Sequence, residues 1–180
     1  MVILTSRIYT RPTDRSMPVQ PAAPYEVRPA TPADLARFAS DLGHELRPGK
    51  AALIRARAED PQVELFVAAL PDGTLCGFGH VEFGRVRDAH LRVDLGPRPS
   101  TAHLFDDFVS PTHRGHRLQG ALVAARVSAA AERGATVASI LVEDSNHASR
   151  ASVRRAGFAP AQRVITLRLG RPRMSWVHGS

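Results

Sequence analysis

The residues with the most chemical promise join a strand to a helix: Phe108-Val109-Ser110-Pro111-Thr112-His113-Arg114-Gly115-His116-Arg117-Leu118-Gln119-Gly120-Ala121. Ser110 and Pro111 break an extended run, Gly115 permits a tight turn, and an Ala-rich helix is predicted from Leu118 to Arg133, with Gly134 to end it. The free amides at a helix N-terminus, backed by the helix dipole, attract phosphate oxygens, and small residues let the backbone come close to them. The stretch therefore suits an anion cradle, although an ordinary strand-to-helix connection has the same composition. On the strand before it, uninterrupted alternation puts His103, Phe105, Asp107 and Val109 on one face. Asp106 and Asp107 are carboxylates suited to a proton transfer, to a substrate cation or to a loop contact. His80 and Glu82, on an earlier strand, fit a pocket wall and an outward polar face equally well.

These groups need a scaffold, and its elements are legible in the pattern. Tyr25 to Arg28 alternates as a strand. Thr31-Pro32-Ala33-Asp34 supplies an N-cap, a proline at the first helical position and an acid in the first turn of a helix reaching about Leu42. Residues 48–58 are predicted as a second helix. Val63–Leu70 and Leu75–Phe83 are β-rich runs joined by Pro71-Asp72-Gly73-Thr74, an antiparallel hairpin. The segment from Gly84 to Ser100 mixes charge, Gly and Pro around an extra strand at His90–Leu95. Thr101–Val109 is the strand that carries the candidate groups. After the Ala-rich helix, Thr136–Val142 is apolar throughout, as a central buried strand would be. A short helix at His147–Ala156 stops at Gly157, and Arg163–Leu169 alternates as a last strand. The order βααβββαβαβ, with two crossovers and a hairpin, predicts a three-layer α/β or α+β domain. Residues 1–24, rich in proline with a short strand around Val2–Tyr9, are expected to be an N-terminal extension; residues 25–170 form the domain and 171–180 a C-terminal tail.

Two motifs carry a resemblance. Val109-x-Pro111-x-x-Arg114-Gly115, followed by Asn146-x-x-Ser149 and then Gly157-Phe158, resembles the GCN5-related N-acetyltransferase (GNAT) superfamily, in the family's order and on the expected elements. The resemblance spans roughly residues 25 to 169. It implies a mixed, mostly antiparallel sheet of six or seven strands, with helices on both faces, that splays between the family's fourth and fifth strands to admit the pantetheine arm of acetyl-CoA. It further implies acetyl transfer to a primary amine by direct attack in a ternary complex. Carried over by position, Val109 would pair its backbone with pantetheine, and Arg114 and Gly115 would open the phosphate loop. The amides of His116, Arg117, Leu118, Gln119, Gly120 and Ala121 would hold the pyrophosphate. Asn146 would bond the pantetheine or adenosine side, and Ser149 would lie near the thioester. The same resemblance makes His103 the base that removes the amine's proton, with Asp107 next in line; a histidine with a pKa of about 6.5 is largely neutral near pH 7. A backbone amide near Val109 would face the oxyanion.

The sequence also departs from the family. Arg117 and Gln119 stand where its loop has small residues, and Gly120 is displaced by one position. Val153 stands where many members carry the tyrosine that protonates the leaving thiolate, a task the resemblance passes to Ser149. The alternatives are a non-catalytic acyl-CoA-binding or regulatory domain of the same fold, and a transferase acting on an RNA-linked substrate.

Composition narrows the field. The chain has 180 residues, 43% of them hydrophobic, enough for one core. Its formal charge of +7 comes from 23 arginines and the single Lys50, spread along the chain with no run longer than Arg154-Arg155, which makes nucleic acid an unfavoured partner. Cys76 is the only cysteine, so no internal disulfide and no cysteine-based metal site is available, and the eight histidines show no metal-binding spacing. No metal is expected. No apolar run is long enough for a membrane span. The expected setting is cytoplasmic, with acetyl-CoA and a small amine as partners and room for a homodimer.

Overall fold

The computed structural model describes residues 2–14, 19–88, 93–168 and 173–179. Its strands are β1 (Val2–Pro12), β2 (Glu26–Pro29), β3 (Val63–Ala69), β4 (Leu75–Asp88), β5 (Val93–Val109), β6 (Val137–Glu143), β7 (Ala159–Arg168) and β8 (Arg173–Gly179). The helices are α1 (Pro32–Asp41), α2 (Lys50–Arg57), α3 (Leu118–Glu132) and α4 (His147–Arg155), with a 3-10 turn at Pro111–His113. One mixed sheet runs in the order β2-β3-β4-β5-β6-β1-β7-β8. All pairings are antiparallel except β5 with β6, which the crossover through α3 makes parallel.

The helices form two outer layers. Leu118, Leu122, Val123 and Val127 of α3 and Val153 of α4 close over Cys76, Val81, Leu104, Ala138, Ile140 and Tyr9. On the opposite face, Phe38 of α1, Leu42 just after it and Ile54 of α2 cover Leu65, Val67, Leu75 and Phe78. α1 starts as predicted: the Thr31 side chain accepts from the Asp34 amide, the Asp34 carboxylate accepts from the Thr31 amide, and Arg28 pairs with the same carboxylate at 2.6 Å. These contacts hold the Asp34 carboxyl at about 2 against the opposing effect of burial. Cys76 is buried, and burial pushes its thiol up to about 11, the state of an inert core cysteine.

The sheet has eight strands, and β1 accounts for its unexpected centre. Residues 2–12, read from the sequence as part of an extension, lie between β6 and β7 and bond to both, with Tyr9 opposite Ile140 and Ser6 opposite Val164. Periodicity announces that a segment is extended but is silent on which strands it joins. β4 and β5 run on past the sheet as a long two-stranded arm whose Leu95 packs on Ile8, Leu141 and Val164. The strand expected at His90–Leu95 lies partly outside the described residues; from Val93 it belongs to β5.

β5 contains the local irregularity that matters most. His80 faces Phe105 and Phe78 faces Phe108, so Gly79 alone stands opposite Asp106 and Asp107. That is a β-bulge, and Asp106 sits in its left-handed conformation at φ 59°. The bulge interrupts the alternation expected along this strand. His103 and Phe105 stack together on the α1–α2 face, and Asp106 stays there with Lys50 and Arg57. Asp107 and Val109 turn to the α3 face instead. His103 and Asp107 are therefore on opposite sides of the sheet.

Candidate active site

Parallel pairing of β5 with β6 ends at Leu104 and Ile140, although both strands continue. Where they part, a cleft of about 870 Å³ opens toward α3 and α4. Asp107, Phe108 and Val109 form one wall, Ile140 and Val123 the floor, and Ser149, Ser152 and Val153 of α4 the other side. Beyond the last shared pair, the β5 edge has no strand to bond on the β6 side, which leaves its peptide groups for an extended ligand.

The turn after β5 closes one end. Gly115 has φ 86° and Arg117 φ 61°, and α3 begins with no side chain capping it. Ala121 donates its amide to the Arg117 carbonyl at 3.0 Å, so it is committed to the helix; the amides of Leu118, Gln119 and Gly120 precede the first intrahelical bond and face the cleft. Left-handed residues at Gly115 and Arg117, just before an uncapped helix, shape a concavity suited to an anion. Gly120 matters for space, because a Cβ there would stand 3.1 Å from Val19 Cγ1.

Arg117 occupies a backbone position that glycine adopts without cost, which is the physical sense of the family's small residue there. Arg117→Gly is expected to raise unfolding free energy by up to about 1 kcal/mol in a denaturant titration and to leave anion binding in place, since backbone amides supply it.

Asn146 has a divided role. Its carboxamide oxygen accepts from the Ser149 amide at 3.0 Å and caps α4, leaving the NH2 group for a ligand. Ser149 is half-buried on the cleft wall, and Val153 is buried beside it. His103 is sealed off: it is wholly buried, its Nδ1 lies 2.9 Å from Ser139 Oγ, and it does not line the cleft. Burial pushes its pKa down to about 4, and that of His80 to about 3, so both rings are neutral at pH 7. Glu82, directly opposite His103, is buried too; burial raises its carboxyl, and Arg87 at 2.7 Å opposes the rise.

Asp107 is the carboxylate that reaches the cleft. Burial pushes its pKa up, while Arg126 and the Gln119 side chain pull it back toward the charged form. Asp106 points the other way: burial would raise it, but Lys50 at 2.5 Å, with Arg57, holds it below the ordinary carboxylate value.

Sequence reasoning missed several of the neighbours. Val19 lines the cleft, Ala22 donates to the His116 carbonyl at 3.0 Å, and the Tyr25 hydroxyl lies 3.0 Å from His113 Nδ1, so the segment after β1 braces the turn into α3. Arg126, on an otherwise apolar helix face, was the one visible signal: a charge in a core stripe. Tyr9, remote in sequence, is brought next to α4 through a 3.3 Å contact with Arg150 but does not line the cleft. Among the described residues, no three His, Cys, Asp or Glu side chains gather to hold a metal ion, and no helix is long and apolar enough to cross a membrane.

The comparisons with known proteins agree with this geometry. No curated protein sequence matches the chain. A GCN5-related N-acetyltransferase from Sphaerobacter thermophilus superposes with a TM-score of 0.62 at 16% identity, covering 99% of this chain and 53% of its own. A tandem GNAT protein from the clavulanic acid biosynthesis pathway gives 0.64 at 21%, covering 99% and 54%. AAC(6')-Iy, bound to the bisubstrate analogue CoA-S-monomethyl-acetylneamine, gives 0.59 at 21%, covering 75% and 90%. At these identities the likeness is one of fold. The chain spans between 52% and 66% of the length of the first five such structures, which match it almost end to end. The sequence model of the acetyltransferase (GNAT) family matches residues 32–158, which include the parting of β5 from β6, α4 and the turn into α3, and the chain belongs to that family.

Proposed function

We propose that the protein transfers an acyl group, acetyl in the first instance, from acyl-CoA to a primary amine, by direct attack within a ternary complex. The observation that carries this reading is the cleft where β5 and β6 separate, with an uncapped helix N-terminus at one end and a carboxylate, Asp107, on its wall. The residues fit the donor's parts. Open amides at Leu118 to Gly120 suit a pyrophosphate, Arg114 and Arg117 add positive charge beside it, and the free β5 edge near Val109 suits the amide-bearing pantetheine arm. Bound acyl-CoA supplies an activated thioester carbonyl.

The chain's own task is then to manage protons and charge. An acceptor amine arrives as an ammonium and has to lose a proton before its lone pair can form the new C–N bond. Asp107 takes that proton in this reading, because it lines the cleft while His103 does not. A backbone amide of the parted β5 edge faces the oxygen that gathers negative charge. The Ser149 hydroxyl stands on the α4 wall for the departing sulfur, whose pKa of about 8.5 makes the thiolate a competent leaving group in any case. A small free amine as acceptor and a cytoplasmic setting belong to the same reading.

The test combines binding and turnover. Purified protein with acetyl-CoA and a broad amine panel is expected to release CoA with at least one amine. Acetyl-CoA binding without release under any condition would make it an acyl-CoA-binding domain instead. Gly120→Asp isolates the phosphate site: an acid in the first turn favours the helix, yet it opposes an incoming pyrophosphate. Calorimetry should show the acetyl-CoA Kd rising about tenfold or more, with melting temperature maintained. Unchanged affinity in the folded variant would remove the phosphate site from this turn.

A further inference from the structure

Arg126 is the largest wholly buried side chain among the described residues, and proton transfer as described above makes no use of it. Its Nε donates to the Leu122 carbonyl at 2.9 Å, its Nη1 to the His80 carbonyl at 2.9 Å, and its Nη2 lies 2.5 Å from Asp107 Oδ1. A buried guanidinium needs a counter-charge, and this one takes it from a carboxylate on the wall of the cleft. The contact exists because of two local features. The bulge turns Asp107 toward α3, and Gly79 leaves the notch between the two groups. A Cβ at position 79 would stand 2.5 Å from Asp107 Oδ1, 2.6 Å from Arg126 Cζ and 2.7 Å from its Nη1. Gln119, in the first turn of the same helix, is the second group from α3 at this carboxylate.

We propose that Arg126, seated in the notch left by Gly79, is a positioning residue that holds the Asp107 carboxylate in the cleft ready for the acceptor's proton. Together with Gln119 it ties that carboxylate to α3, the helix whose N-terminus meets the donor's phosphates. The proposal deepens the transferase reading and rests on it. An arginine suits the task because its planar fork spans two backbone carbonyls and a carboxylate at once, which fixes the carboxylate's direction as well as its charge.

The titratable and charged groups around Asp107 are Arg126 from α3, Asp106 beside it on β5, His113, Arg114 and Arg117 from the turn, and Arg155 from α4. Of these, Arg126 alone forms an ion pair with it in the structure. The decisive measurement is the titration of the Asp107 carboxyl by carbon NMR in the full chain, without any ligand, in wild type and in Arg126→Gln. Removal of the guanidinium takes away the positive charge paired with this carboxylate and leaves only the Gln119 side chain to favour the charged form, so the carboxyl should release its proton at a pH higher by about one unit or more. The acid limb of kcat/KM against pH, measured with acetyl-CoA and the fastest amine of the panel, should move up equally. That amounts to a roughly tenfold loss on the acid side and a smaller one at high pH. The acetyl-CoA Kd should stay within about twofold, and Arg126→Lys should recover much of the titration shift.

A purely structural Arg126 would lower stability, and activity by one factor at every pH, with the Asp107 titration unmoved; that outcome overturns the proposal. Should Arg126→Gln fail to fold, Gly79→Ala separates the two groups while keeping both charges and is expected to move the same titration upward. An unmoved titration there is equally fatal. If Asp107→Asn leaves turnover and the acid limb intact, the assignment of Asp107 as base is what fails. If Asp107→Asn abolishes the limb and Arg126→Gln leaves it in place, the positioning role alone falls.

Discussion

Asp107→Asn is expected to lower kcat by a factor of about 100 to 1,000 at neutral pH, the range typical for removal of a positioned general base. Acetyl-CoA affinity should be nearly unchanged, because the proposed donor site uses the amides of Leu118 to Gly120 and the peptide groups of β5 and not this carboxylate. Asparagine keeps an oxygen for Arg126 Nη2 but no charge, so a buried guanidinium loses its counter-ion and the variant should also melt at a lower temperature. Turnover has to be compared below both melting transitions. Recovery at high pH identifies the lost step, since an amine that is already neutral has no proton to give up. The contrasting variant is His103→Gln. Its ring is wholly buried on the far face of the sheet, bonded to Ser139 and neutral, so its replacement should alter stability more than the shape of the pH profile. A profile that changes in His103→Gln and stays intact in Asp107→Asn would return the base to His103.

Tyr9→Ala tests the part of the fold that the sequence conceals. Were residues 1–24 an appendage, the substitution would change stability by a few tenths of a kcal/mol, as surface changes do. In the structure Tyr9 is fully buried on an interior strand, opposite Ile140 and among the side chains that α3 and α4 cover. Emptying that space should cost about 3–5 kcal/mol, read as a shift of the midpoint in a denaturant titration. The loss should reach the cleft as well, because β1 is the strand that holds β6 on the side away from β5. Tyr9→Phe removes only the hydroxyl beside Arg150 and should cost far less.

Much of the site could be read from residue types alone, and the reason is locality. A capping box, a proline at a first helical position and a glycine in a left-handed turn act within a few residues, so the start of α1 and the turn into α3 stand where the sequence predicts them. Burial follows the same logic: the apolar run at 136–142 is an interior strand because both of its faces are covered. Two distant motifs in the right order were enough to place the turn into α3 and an opposing helix on one fold.

The sequence by itself determined most of the elements, the turn into α3 and the family, although residues 171–180, expected as a tail, contribute β8 beside β7. Tertiary structure decided which carboxylate meets the cleft. Alternation on β5 puts His103 and Asp107 side by side only if nothing interrupts it, and one extra residue between Phe105 and Phe108, opposite Gly79, sends them to opposite faces. No local pattern marks that bulge, because Asp106 adopts its left-handed φ in the company of Lys50 and Arg57 from α2, which lie far away along the chain. The place of β1 is non-local in the same way. A strand's pattern records which of its faces are buried, whereas its neighbours are chosen by the pairing of whole edges. The Arg126–Asp107 contact depends on both a bulge and a glycine notch, and it exists only once α3 is laid across β4 and β5.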